Sequence, residues 1–150
     1  MARIESPRIA RQLVRAVRGP AWHGPSFHEA IRGVSAADAA RKPIPGAHSI
    51  WKLVLHTTAW LRIVRLRAEK RSPRRITRAM NWPDPGPVQA RRWRRAVAGL
   101  DAEVTRLART IRALDDERLP YLALHGVVQH TIYHAGQIVL LRKRALKVLP

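Results

Sequence analysis

The amino-acid sequence predicts an all-α protein, a four-helix bundle with long crossover connections. In four long segments, apolar residues recur at spacings of three, four and seven, which is the pattern of a helix that buries one face. No segment alternates apolar and polar residues over the length of a strand. At least two connections between the long segments are long enough to cross a bundle. Together these observations favour helices packed around a common core.

Standard start and stop signals bound the first predicted helix, over residues 6–18. Pro7 lies just inside its start, where the missing N–H of proline is not needed, and Gly19 and Pro20 follow its end. The next two helices are predicted to be short, each beginning at a serine with an acidic residue three positions later. These pairs are Ser26 with Glu29, in a helix that ends at Arg32, and Ser35 with Asp38.

Three more long helices follow, over residues 49–69, 87–114 and 121–144. Residues 71–86, which separate the first two of these helices, are rich in proline and are predicted to form a crossover loop. A loop of that length is uncommon inside a compact domain and is often functional when it occurs. A short turn at residues 115–119 leads into the last helix.

Length and composition narrow the class of protein. A chain of 150 residues, of which 46% are hydrophobic, is expected to form a single domain with one core. No apolar run approaches the roughly 20 residues needed to cross a bilayer, and the N-terminus has no apolar signal core, so we expect a cytoplasmic protein. The chain has no cysteine, which excludes disulfides and thiolate ligands and leaves His, Asp and Glu as plausible metal ligands.

The charge is strongly positive. The chain carries 29 Lys and Arg against 10 Asp and Glu, a net charge of +19. Such a balance is typical of proteins that bind nucleic acid, acidic surfaces or anionic substrates. The alternative is that the arginines occupy solvated faces of ordinary amphipathic helices, because their clusters lie within predicted helices and connections and not in a separate tail. The clusters are residues 71–75, 91–95 and 142–144.

Two histidines of the last predicted helix can act together. His130 and His134 are four residues apart, so they lie about 40° apart around a helix and roughly 6 Å apart along it. Two imidazoles on one face can bind a cation if a third ligand comes from elsewhere. A histidine on an apolar face is also a common hydrogen-bonded core residue, and the spacing leaves both interpretations open. Thr131 stands where zinc proteases carry a glutamate, which disfavours that chemistry.

Two stretches resemble the DinB/YfiT-like family of metal-dependent four-helix bundles. Residues 45–60 contain a tryptophan, Trp51, followed five positions later by His56. Residues 124–138 contain the pattern His-x-x-Tyr-His-x-Gly-Gln, which starts at His130. The segment Ala-Trp-His-Gly at residues 21–24 is also similar to members of the family. The resemblance covers essentially the whole chain in order.

The resemblance implies that the second long helix contributes one metal ligand, His56, and that the fourth contributes His130 and His134. It also implies a divalent ion, most often zinc or nickel, and a homodimer. Some members are thiol S-transferases, so we expect a metal-dependent hydrolase or thiol transferase that acts on a small molecule. The positive charge favours an anionic low-molecular-weight thiol. The alternatives are a basic nucleic-acid-associated bundle and a bundle without catalytic activity.

Four further residues are candidates for the surroundings of the site. Gln137, one turn beyond His134, can contact a ligand or the substrate, or it can be a polar residue at the helix edge. Trp22 and His23 can line the mouth of a pocket, and Trp60 lies one turn beyond His56. Tyr133 is expected to serve packing, and the three remaining histidines are expected to be structural or surface residues. No Asp or Glu is close enough in the sequence to suggest a general base.

Overall fold

The computed structural model describes residues 4–146, and within this range it contains helices and no strands. The four long helices are α1 (Glu5–Arg18), α4 (Ile50–Ala68), α6 (Ala90–Ala113) and α7 (Tyr121–Leu146). The shorter ones are α2 (Phe27–Ile31), α3 (Ala36–Ala40), α5 (Arg78–Asn81) and a 3-10 turn at Asp116–Arg118. The predicted all-α bundle is confirmed. The predicted start and end of each long helix lie within about three residues of those observed, the usual scatter for helix ends.

Each long helix packs mainly against two others. α1 contacts α6 and α7, and α4 contacts the same two helices, so α1 and α4 occupy opposite corners of the bundle. α4 and α6 run parallel, because Trp51 meets Trp93 near their starts and Arg65 meets Glu103 further along. Parallel neighbours cannot be joined by a tight turn. Residues 69–89 therefore return along the bundle, as the sequence predicts.

This crossover is not entirely a loop, which corrects the sequence prediction for residues 71–86. It contains α5, which begins where the side-chain oxygen of Thr77 accepts a hydrogen bond from the Met80 N–H at 3.2 Å. The prolines on either side of this single helical turn favoured a loop in the sequence interpretation. The cap residue, Thr77, was the one sequence feature that indicated a helix.

The two short helices between α1 and α4, α2 and α3, form as predicted. The side chain of Ser26 accepts a hydrogen bond from the Glu29 N–H at 3.3 Å, and Glu29 accepts one from the Ser26 N–H at 2.7 Å. This is the expected capping box. Ser35 caps α3 in the same way, through the Asp38 N–H. α2 then packs against α7 and helps to cover the side of the bundle between α1 and α7.

The first turn of α1 is capped by a residue more than a hundred positions later in the chain. Ile4, at the position where a capping side chain normally stands, makes no such hydrogen bond. Instead, the carboxylate of Asp116 accepts hydrogen bonds from three successive backbone N–H groups, at 2.6 to 3.0 Å. These belong to Ile4, Glu5 and Ser6 and are donors that a helix cannot satisfy internally. They hold the pKa of Asp116 at about 2, well below its ordinary value of 3.8.

A buried acidic residue joins α4 to α6 within a largely apolar core. Glu103 is 3% exposed, and its two oxygens accept hydrogen bonds from Arg65 of α4 and Arg106 of α6. The pairing satisfies a charge that would be costly to bury alone. Apolar side chains of all four long helices make up the rest of the core. Fully buried side chains include Leu13, Trp51, Leu100, Leu107 and Ile138.

Within residues 4–146, no helix is both long enough and apolar enough to span a bilayer.

Candidate metal centre

The structure brings His56, His130 and His134 together. α4 and α7 run antiparallel, because His56 lies beside His130 and His134 while Val64, later in α4, lines a cavity with Ala123, which is earlier in α7. Nε2 of His130 lies 3.0 Å from Nε2 of His56 and 3.0 Å from Nε2 of His134. One nitrogen from each ring therefore converges on a single point, and the candidate ligand atoms all lie within 4.8 Å of one another.

Hydrogen bonds at the outer nitrogens orient two of the rings. The Nδ1–H of His56 donates to the backbone carbonyl of Asn81 at 2.7 Å, because a carbonyl can only accept. The Nδ1–H of His134 donates to Oε1 of Gln137 at 2.7 Å. The amide of Gln137 is held in that orientation, since its Nε2 donates to the Tyr133 hydroxyl at 3.1 Å. Both neutral rings therefore present the lone pair of Nε2 to the centre.

His130 differs from the other two histidines. Its Nδ1 is buried and has no hydrogen-bond partner among the described residues. Its Nε2 lies between two lone pairs of neighbouring rings and can donate a proton to only one of them. A cation shared by the three nitrogens would remove this conflict, because each Nε2 would then act as a lone-pair donor.

The histidines are kept neutral by their surroundings. Burial, with smaller contributions from His134 and His56, lowers the pKa of His130 to about 4. Burial also lowers the pKa of His56 and that of His134, although the hydrogen bond to Gln137 partly opposes the shift at His134. Neutral imidazole is the form that binds metals. Protons therefore do not compete for these nitrogens near pH 7.

The spacing of the nitrogens fits a divalent ion. Zinc lies about 2.0–2.1 Å from an imidazole nitrogen, so two ligands about 90° to 109° apart are separated by about 2.8 to 3.4 Å. The two 3.0 Å separations that involve His130 lie within that range. The cluster holds three imidazoles and, among the described residues, no carboxylate. Three protein ligands leave further coordination positions open, as in catalytic sites.

Aromatic rings from the crossover and α4 cover one side of the cluster. Trp82 stacks on His56, with ring centroids 3.7 Å apart and planes within 9°. The ring of His48 also contacts Trp82, with centroids 3.9 Å apart and planes tilted by 32°. Trp60 donates from its indole N–H to the side-chain oxygen of Asn81 at 2.8 Å. Residues 81 and 82 therefore bind the crossover to the site.

The sequence interpretation missed three of these residues. His48 was expected to be structural or at the surface, yet its ring contacts Trp82, which stacks on His56. Asn81 and Trp82 lay in the segment predicted to be a loop. Their only sequence signal was the presence of an aromatic and an amide in a connection of unusual length.

The other predicted neighbours are divided. Gln137 and Trp60 lie beside the cluster, whereas Trp22 and His23 are exposed and make no described contact with it. The side chain of Trp22 is 102% exposed, and its place at a pocket mouth stays a prediction. Its loop follows α1, at the corner opposite α4. Tyr133 is 63% exposed and is engaged by Gln137, which corrects the expectation that it serves packing.

Two cavities flank the cluster along α7. The one that we call the Arg67 cavity has a volume of about 240 Å³. The one that we call the Gln137 cavity has a volume of about 330 Å³. The Arg67 cavity is lined by Trp60, Val64, Arg67, Ala123, Gly126, Val127 and His130. The Gln137 cavity is lined by Ile44, Gly46, Ala47, His48, Leu53, Gln137, Leu140 and Leu141.

The arginine clusters lie mostly at the surface, away from the three histidines. The four arginines of residues 91–95 are exposed, but Trp93 between them is 6% exposed and donates to the Val34 carbonyl. It is therefore not available to stack on a base. Arg142 donates to the carbonyls of Glu29 and Ala30. Part of the positive charge is thus used to hold the fold together.

Comparison with known proteins gives one family. A family model described as the DinB superfamily matches residues 22–139, which is most of the chain and includes all three clustered histidines. The chain matches no curated protein and no solved structure.

Proposed function

Because the chain belongs to the DinB superfamily, we propose that it binds a divalent metal ion through His56, His130 and His134. We further propose that it uses this centre as a metal-dependent hydrolase or thiol S-transferase that acts on a small molecule. The observation that carries the proposal is the convergence of three Nε2 atoms, two of them with their outer nitrogens already engaged.

The residues around the centre have separate tasks in this proposal. The Asn81 carbonyl and the Gln137 side chain hold two ligands in the tautomer that offers Nε2. Trp82 excludes water from the face of His56 on which it stacks. When bound, a divalent ion supplies Lewis acidity and lowers the pKa of a water or thiol beside it. Imidazole ligands suit both zinc and nickel, and either ion fits the proposal.

Metal content tests the centre directly. Protein purified without a histidine tag is expected to hold about one ion per chain. His56→Ala, His130→Ala and His134→Ala are each expected to lose it, whereas His28→Ala, outside the cluster, is expected to keep it. Elemental analysis after gel filtration measures the ratio. A parent protein that takes up neither zinc nor nickel would overturn the proposal.

Product analysis separates the two reaction classes. A hydrolase is expected to cleave a nitrophenyl ester without added thiol, and a transferase is expected to conjugate a low-molecular-weight thiol to an alkylating electrophile. Either activity should be absent in His130→Ala. It should also be lost when the parent is stripped of metal and return when the metal is added back. The positive net charge supports an anionic thiol, because it would steer such a substrate towards the protein.

The exposed arginines of residues 71–75 and 91–95 support a second candidate, a nucleic-acid-associated protein. Binding would then rest on phosphate contacts, since Trp93 is buried. It would be independent of base sequence and would weaken steeply with salt. Fluorescence anisotropy with two unrelated duplexes at several salt concentrations tests it. Lack of binding at physiological salt rules this candidate out.

A further inference from the structure

We propose that the Arg67 cavity is the subsite for the anionic end of a small molecule with an apolar body, most simply a carboxylate on a short chain. The inference rests on the proposed function in one respect only, namely that the ligand of this cavity is the substrate of the neighbouring centre. The cavity itself is defined by residues of α4 and α7 and does not depend on a bound ion.

The cavity opens directly beside the histidine cluster. His130 belongs both to the cluster and to the lining of the cavity. The centroids of Trp60 and His130 are 6.0 Å apart, so the indole continues the lining from the imidazole outwards. A molecule in the cavity would therefore lie against the one ligand whose Nδ1 has no partner among the described residues.

The far end of the cavity carries a free cation. The guanidinium of Arg67 lies 5.7 Å from the centroid of the Trp60 ring, in a cation–π arrangement. Among the described residues, no carboxylate forms an ion pair with Arg67. By contrast, Arg65, two residues earlier in α4, is engaged by Glu69 and Glu103. Arg67 is thus positioned by an aromatic ring, and no described residue accepts a hydrogen bond from its guanidinium.

Between these two ends the lining is apolar. Val64, Ala123 and Val127 contribute aliphatic side chains, and Gly126 contributes none. A Cβ added to Gly126 would meet no atom within 4 Å, so it would point into open space. A hydrocarbon chain between an anionic group and the centre matches this order of polar, apolar and imidazole surfaces. A cationic or doubly polar ligand does not match it.

Binding of hexanoate to the metal-free protein tests the subsite. Hexanoate is expected to bind measurably in isothermal titration calorimetry, and hexan-1-ol and hexylammonium about tenfold more weakly or not at all, because a hydrogen bond to a charged group is lost. Arg67→Ala is expected to weaken the binding of hexanoate by about the same factor. Arg67→Lys should retain part of the affinity. Arg74→Ala removes an exposed arginine elsewhere and should bind like the parent.

Gly126→Leu separates the cavity from general attraction to a positive protein. This variant keeps every charge, and its side chain would fill the cavity without an initial clash. It is expected to lose hexanoate binding while keeping its melting temperature and its metal content. Hexanoate that binds equally to Gly126→Leu, or that fails to bind the parent at millimolar concentration, overturns the subsite. Hexanoate that binds as expected to a chain that takes up no metal leaves the subsite standing and removes the proposed centre.

Discussion

At the residue scale, the three histidines are not equivalent. His56 is oriented by a backbone carbonyl and His134 by a side chain three residues further on, whereas the outer nitrogen of His130 has no partner among the described residues. A side-chain contact can be removed by substitution, and a backbone contact cannot. The contribution of orientation to metal binding can therefore be measured at Gln137.

We predict that Gln137→Ala lowers metal affinity about 10- to 100-fold, the usual effect of losing such a partner. His134 would then be free to change tautomer and to rotate. Gln129→Ala is the matched control, because Gln129 is an exposed glutamine on the same helix. Competition against a chelator of known affinity measures both. Equal affinities in the two variants would show that the His134–Gln137 contact does not serve the centre.

At the scale of elements, two contacts join helices that are distant in the sequence. Asp116 caps α1 across more than a hundred residues, and Glu103 joins α4 to α6. The periodicity of apolar residues predicted the long helices, and serine caps predicted the short ones. Neither of these two contacts was predictable, because each depends on which parts of the chain become neighbours after folding. The same holds for Asn81, whose carbonyl reaches His56 only because the crossover folds back.

We predict that Asp116→Asn lowers the melting temperature at neutral pH, since a neutral amide is a weaker acceptor for three N–H groups. The folded-state pKa of Asp116 is about 2 and its ordinary value is 3.8. Its contribution is therefore complete above about pH 4 and is lost as the pH falls through about 2.

Melting curves of parent and variant between pH 7 and pH 2.5 measure this difference. The gap between them should narrow as the pH falls. Glu117→Gln, which removes a negative charge from the next residue, should show a much smaller gap. A gap that does not change with pH would contradict a role for the charge of Asp116.

We predict that Glu103→Ala lowers the free energy of unfolding by about 3–5 kcal/mol, because it leaves Arg65 without its buried partner. Urea denaturation measures the loss. The double variant Arg65→Met with Glu103→Leu should recover much of it, since an apolar pair of similar volume avoids the desolvation cost. A double variant less stable than Glu103→Ala would indicate that the ion pair itself stabilises the bundle.

At the scale of the whole molecule, charge is distributed unevenly. The chain carries a net charge of +19, yet α7 has no charged residue between Tyr121 and Leu141. Leu122, Tyr133 and Leu140 of this helix are more than half exposed. An exposed face of this kind is typical of an interaction surface. From this face we predict the homodimer that the family resemblance implies, with a second copy meeting this one at α7.

We predict that the parent has twice the mass of one chain in light scattering and that Tyr133→Lys has the mass of one. Placing like charges opposite each other at a two-fold interface would separate the copies. Val88→Lys is the control, because it replaces an exposed apolar side chain outside α7 with the same charge. A parent that is monomeric at high concentration would refute the interface.

The contact between His56 and the backbone of Asn81 bears on how this site varies among sequences. Any amino acid at position 81 offers the same carbonyl, so a scan of side chains there would detect only the loss of the bond to Trp60. The orientation of His56 therefore depends on the length and path of the crossover and not on which amino acid occupies position 81. An insertion or deletion within residues 69–89 would thus change the orientation of His56 while leaving all three histidines in the sequence.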